Sequence, residues 1–190
     1  MSKVYKLKSD SENYSFFLEQ SNHVDNKFIR KYWEWKHIDL NLYEPVIYKL
    51  YQGDNGKKNY QLDISSFGSG LIIFSDKAIT FLKEVLESCG QIVPIITESK
   101  RKKFVGFYAN KNIYNESIIN LNKSEFNQCE NNKVFRKIVL NHKYPKNDFM
   151  FVLVQDPTIV FVTEKFKHLV EKHDLKGFDF SEFREIEVSD

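Results

Sequence analysis

Glycine is scarce in this sequence, with seven among 190 residues. So few glycines leave little from which to build a backbone cradle for phosphate. None of the patterns Gly-x-x-x-x-Gly-Lys-[ST], Gly-x-Gly-x-x-Gly or Gly-x-Ser-x-Gly occurs. Cysteine is scarcer still. Cys89 and Cys129 lack CxxC spacing and read as free buried thiols, not as a redox or zinc pair. No apolar run is long enough to cross a membrane, and Met1 to Lys8 alternates polar with apolar residues. Neither a span nor a secretory signal is therefore expected, and the chain is placed in the cytoplasm. Charge of one sign is also missing: 28 basic and 26 acidic residues leave a formal +2. That balance excludes a strongly electropositive nucleic-acid binder, while a local basic patch stays open. It equally lacks the acidity expected of a cap for a basic nuclease.

Aromatic residues are plentiful. Seventeen Phe and ten Tyr contribute to 15% aromatic and 42% apolar content, enough for one sizeable core. A chain of this length buries roughly 70% of its unfolded surface on folding, so disulfides and metals are not needed for stability. Asn and Lys are abundant too, and the sequons at Asn13, Asn115 and Asn122 are expected by chance in such a composition.

Val4 to Lys8 reads as a short strand ended by Ser9-Asp10-Ser11. Residues 12–44 read as irregular, with one short helix or strand around Phe28 to Trp35. Val46 to Gln52 and Tyr60 to Ile64 read as a hairpin, because Gly53-Asp54-Asn55-Gly56 offers the positive φ values of a tight reversal. Ser65 to Gly70 is a loop, taken as the boundary between an N-terminal layer (residues 1–70) and a second region (71–183). Leu71 to Phe74 is a buried strand, and Ser75 caps a helix with Ala78, Ile79, Leu82, Val85, Leu86 and Cys89 on one face. Gly90 ends it, at a left-handed position. Ile92 to Thr97 and Phe104 to Ala109 are strands across a charged turn, and Pro94 pushes the first towards an edge or a strand start. Residues 110–132 form a polar connection with a short strand at Ser117 to Leu121. Strands follow at Val134 to Leu140, Phe149 to Val154 and Thr158 to Val162. Thr163 caps a second helix that Gly177 closes, with Phe178 in a Schellman contact. The fold class is α+β: a single domain with a largely antiparallel sheet and at least two amphipathic helices.

The junctions Ile72-Ile-Phe-Ser-Asp-Lys77 and Val160-Phe-Val-Thr-Glu-Lys165 echo one another. Convergence on a shared capping pattern accounts for them as well as duplication does.

Chemical constellations are few. His168, Glu171 and His173 look like a zinc helix, but the two histidines lie five residues apart, roughly 140° around it, where HExxH needs four. His173 reads instead as part of the apolar stripe near the helix C-terminus. His23, His37 and His142 show no triad spacing, although a triad assembles in space. Lys100-Arg-Lys-Lys103 is the densest basic run and reads as a solvated hairpin tip that discourages edge-to-edge pairing. Tyr32, Trp33 and Trp35 form the densest aromatic cluster. A strand there would set both indoles on one side, buried as core or exposed as anchors.

From Leu71 to Phe183 the pattern resembles the polymorphic-toxin immunity proteins of family 11. The residues that carry it are Leu71-Ile-Ile-Phe-Ser-Asp-Lys77, Gln91-Ile-Val-Pro94, Gly106-Phe-Tyr-Ala-Asn110 and Ile119-Asn-Leu-Asn-Lys-Ser-Glu-Phe126. They continue with Ile159-Val-Phe-Val-Thr-Glu-Lys-Phe166 and Leu175-Lys-Gly-Phe-Asp-Phe180. Members often carry Asp where this chain has Asn120. The resemblance implies a cytoplasmic protein that binds and neutralises a cognate toxin encoded nearby, without turnover, cofactor, metal or catalytic residues. Tyr32, Trp33, Trp35 and Tyr43, in the region of least resemblance and most aromatics, are the candidate toxin-binding residues. Nucleic acid and membrane are not expected partners. An enzyme assembled from scattered His and carboxylates, and a nucleic-acid or regulatory module using Lys100 to Lys103, are the alternatives.

Overall fold

At Ser75 a strand becomes a helix within one residue. The computed structural model describes residues 3–20, 35–56, 58–67, 71–129 and 132–189. In it the Ser75 hydroxyl accepts a 3.1 Å hydrogen bond from the Ala78 amide and caps helix α1, Asp76–Cys89. Ala78, Leu82, Leu86 and Cys89 are buried along one face of α1, as the periodicity predicts. Gly90 does end the helix, but its φ of −174° is extended, not left-handed. Glycine is required there by space: a Cβ would stand 2.2 Å from the Tyr108 carbonyl oxygen and 2.7 Å from the Phe107 ring.

The strands form two main sheets and three short ladders. Sheet I runs Phe16–Glu19, Val46–Tyr51, Gln91–Thr97, Phe104–Tyr108, Ile72–Ser75, Ile64–Ser65, with only the second and third strands parallel. Sheet II runs Glu185–Ile186, Val4–Lys6, Asp156–Thr163, Met150–Leu153, Ile113–Tyr114, with only the last pair parallel. The architecture is the expected α+β class, mostly sheet and mostly antiparallel. Sheet I takes strands from both sides of residue 70, and Ile64–Ser65 pairs antiparallel with Ile72–Ser75 across that expected boundary.

Each sheet has a strand covered on both faces, Ile72–Ser75 and Met150–Leu153, which show no exposed residue. A central core takes Ile72, Phe74 and Phe107 from sheet I and Met150, Val152, Val160 and Val162 from sheet II. Over it lie α1 and the second helix, α2 (Glu164–Lys172), which contributes Phe166 and Val170. The opposite face of sheet II packs Phe151, Phe161 and Val4 against Ile118, Ile119 and Leu140.

The opposite face of sheet I closes on itself. The Phe17 amide, in one edge strand, donates a 2.9 Å hydrogen bond to the Ser65 hydroxyl in the other edge strand. Sheet I is therefore a nearly closed barrel, its interior filled by Phe17, Tyr48, Leu50, Leu62, Ile73, Val93, Phe104 and Tyr108. Each such apolar side chain contributes about 1.5–3 kcal/mol when fully buried. Reciprocal bonds between Ser9 and Ser66, each amide donating to the other's hydroxyl at 2.8 and 3.0 Å, tie the barrel to the chain leaving sheet II.

Several expectations need correction. Val46–Tyr51 does not pair with Tyr60 to Ile64; its neighbours are Phe16–Glu19 and Gln91–Thr97. Gly53 and Gly56 serve close packing: a Cβ on either would lie within 2.5 Å of a backbone oxygen in the turn Ser11–Tyr14. Phe16–Glu19 is a strand inside the stretch read as irregular, while Phe28 to Trp33 lies outside the described residues. Pro94 sits mid-strand, where pairing passes from Phe104–Tyr108 to Val46–Tyr51, so its missing amide costs no ladder bond towards the latter, which begins at Ile95. The stretch 110–132 holds Ile113–Tyr114, a 3-10 turn at Glu116–Ile118 and the strand Glu125–Cys129.

Helix α2 stops at Lys172, earlier than expected, in a Schellman motif centred on Asp174 instead of Gly177. Asp174 takes φ +48°, its amide bonds the Glu171 carbonyl, and the Leu175 amide bonds that of Val170. Thr163 holds the N-cap position of α2, yet its hydroxyl donates to the Asp148 carbonyl at 2.8 Å instead of capping.

Candidate interaction surface

In Val46–Tyr51 alternation sends Tyr48 and Leu50 into the barrel and Ile47, Lys49 and Tyr51 outward. Helix α1 covers the outer face only over Ile72–Ser75, Gln91–Thr97 and Phe104–Tyr108. Beyond that cover the face shows apolar side chains on either side of Lys49. Ile47 and Ile96 are register partners on adjacent strands and are 46% and 49% exposed. Tyr51 and Phe67 are exposed towards the other end of the strand, beyond Lys49, and the Phe16 ring packs against both, at 6.1 Å and 4.4 Å between centroids. Ile47 with Ile96 and Tyr51 with Phe67 thus form two small exposed apolar groups, candidates for a contact surface.

The loop leading into this strand adds two more apolar side chains. Leu40 and Leu42 are exposed, Leu42 at 80%. Their loop is held rigidly. The Gln91 side chain accepts from the Ile38 amide at 2.9 Å and donates to its carbonyl at 2.7 Å, while Asn41 closes a turn on Asp39. Such a tip presents its leucines with little ordering cost on binding.

The basic run borders the same face, and it does not behave as one solvated tip. The Lys102 ammonium is drawn inward, donating at 2.8 Å both to the Asp63 carboxylate and to the Leu62 carbonyl. Lys49, Lys100, Arg101 and Lys103 are exposed and make no ion pair among the described residues.

Asp63 is the most connected buried carboxylate in the structure. It accepts from the Ser75 hydroxyl at 2.6 Å, from Lys102, and from the Lys176 amide at 2.8 Å. Burial pushes its pKa up, but the bonds from Lys102, Ser75 and Lys176 outweigh that and hold the carboxyl below its usual range. A Ser, Asp and Lys in contact invite a catalytic reading. However, the Ser75 proton is given to Asp63, its oxygen caps α1, and the residue is fully buried. The cluster is a structural staple.

Of the aromatic candidates, Tyr32 and Trp33 lie outside the described residues. Trp35 and Tyr43 are not brought together. Trp35 packs half-buried against the central core with φ +52°, outside any strand, and Tyr43 packs half-buried against the barrel interior. His23 is outside the described residues, and His37 and His142 are exposed. His173 stacks on Phe81 at 4.1 Å, bridging the two helices beside an open groove of about 630 Å³. Among the described residues no three His, Cys, Asp or Glu side chains converge as metal ligands. No helix there is long and apolar enough to cross a membrane.

Sequence reasoning missed Ile47, Ile96, Tyr51 and Phe67 as surface residues. Lys49 marks the outward face of Val46–Tyr51, but Ile47 and Tyr51 share that face with it, and apolar residues there read as further core.

No model of a known protein family matches the chain, and no curated protein matches it. The likeness to immunity family 11 rests on the residues quoted for it.

Proposed function

We propose that this chain is a non-enzymatic binding protein of the immunity type, which occludes a cognate toxin in the cytoplasm. The observation that carries the proposal is the exposure, among the described residues, of Ile47, Ile96, Tyr51 and Phe67 around the barrel. Apolar side chains held on rigid strands, rimmed by charge, suit a protein partner. The Leu40–Leu42 tip supports the same reading, because a projecting apolar tip can fill a partner's cleft. The likeness over Leu71 to Phe183 supplies the kind of partner.

Co-expression with the product of the adjacent gene tests the proposal. Rescue of growth and a co-purified complex are expected, and the double substitution Ile47→Asp, Ile96→Asp should abolish both. Harmless expression of that neighbour without any complex would remove the proposal.

A further inference from the structure

Resting on that reading, we infer that the partner presents an acidic surface around its apolar contact, and that Lys49, Lys100, Arg101 and Lys103 recognise it. The register places these cations against the apolar face. Tyr48 pairs with Thr97 as the last pair between their strands. Val46–Tyr51 then runs on past the end of Gln91–Thr97, so Lys49 stands between Ile47 and Tyr51 on the outward face, and the hairpin tip at 98–103 begins one residue after that last pair.

The tip is preorganised. The Ser99 hydroxyl donates to the Lys102 carbonyl at 2.6 Å and accepts from the Lys102 amide. Lys102 is tethered to Asp63 and Leu62. The Asp76 amide donates to the Lys103 carbonyl at 2.9 Å, fixing the tip against the first turn of α1. Lys100, Arg101 and Lys103 are thus held in place by backbone and neighbours while their charges face solvent. Three carboxylates stand nearby: Asp76 accepts from the Lys77 and Lys103 amides, Glu98 is exposed, and Glu19 pairs across from Tyr48, so cations outnumber anions by four to three.

Charge arranged around an apolar contact steers encounter and selects partners of opposite sign.

The test measures association with the product of the adjacent gene by surface-captured kinetics at low and high salt. The triple reversal Lys100→Glu, Arg101→Glu, Lys103→Glu should slow association by about tenfold or more at low salt, and the deficit should fade at high salt. A control triple at Lys123, Lys143 and Lys172, exposed and outside this edge, makes the same change in net charge and should slow it far less. Equal effects of the two triples overturn the inference, as does a complex indifferent to the rim. Rim-dependent binding of a short RNA by the isolated protein also overturns it, because the cations would then read phosphate. Loss of self-association in the rim triple would assign the face to a second copy instead. If no complex forms with the intact chain, the immunity reading fails and this inference with it.

Discussion

Replacing Asp63 by Asn should destabilise the protein by about 3 kcal/mol. The carboxylate joins four segments: its own bend before Ile64–Ser65, the cap of α1 through Ser75, the hairpin tip through Lys102, and the turn after α2 through the Lys176 amide. A hydrogen bond to a charged group contributes about 1.5–3 kcal/mol, and breaking a buried ion pair costs about 3–5 kcal/mol. The full sum does not apply. Lys102 keeps the Leu62 carbonyl and is partly exposed, so it can turn to water, and an Asn oxygen can still accept from Ser75. What Asn cannot supply is the second acceptor: its NH2 would face the Lys176 amide, donor against donor, in a site 1% exposed. For a domain of this size the loss lowers Tm by roughly 5–12 °C.

Asp63 titrates below its usual value when folded, so its stabilisation is complete above about pH 4–5. It drains away as pH falls through the lower folded value. Urea unfolding of both proteins between about pH 7 and pH 3 should therefore give a difference that is constant near neutrality and shrinks in acid. A loss under about 1 kcal/mol, or one as large in acid as at neutral pH, would refute the staple.

Three other outcomes follow from the same structure. Ile47→Asp with Ile96→Asp should cost about 2–3 kcal/mol in thermal melts, since half of each side chain is buried and the two carboxylates would face each other across the pairing, and should remove partner capture from the still-folded protein in a pull-down. Ser65→Ala should cost about 1–2 kcal/mol and speed hydrogen exchange at the Phe17 amide above all others in its strand, because that buried donor loses its acceptor. Gly90→Ala should cost about 2 kcal/mol or more by chemical denaturation, because the obstacle to a Cβ is the Tyr108 backbone, which cannot swing aside.

What could be read from sequence was whatever is decided locally. Ser75 and the spacing Ala78, Leu82, Leu86 specify α1 within its own turn, and the strands across the 98–103 turn are neighbours in the chain. Pairings decided at a distance were not legible. Gly53 and Gly56 carry the signature of a tight reversal, yet the space they leave is taken by Ser11–Tyr14. Asp174 was passed over in favour of Gly177 because the glycine is the commoner left-handed residue, and Gly177 does take φ +85°, but after the motif is complete. The candidate residues Tyr32, Trp33, Trp35 and Tyr43 come from aromatic density along the chain, whereas the exposed Ile47 and Ile96 lie 49 positions apart and are made neighbours by one parallel pairing. Parallel pairings have no local sequence sign, since their partners are always joined by a long crossover.

The strand Val4–Lys6 lies inside sheet II, between Asp156–Thr163 and Glu185–Ile186. During synthesis it emerges long before either neighbour exists. At about 5–20 residues per second, the wait for Asp156–Thr163 is on the order of ten seconds or more. The barrel needs nothing beyond Tyr108 for its ladder and can close on the ribosome in that interval. The nascent chain would then carry a finished barrel with a dangling apolar strand, docked last as the C-terminal third arrives. Chaperone occupancy and degradation of stalled or truncated chains should fall in that window, and drop once Ile186 has cleared the exit tunnel.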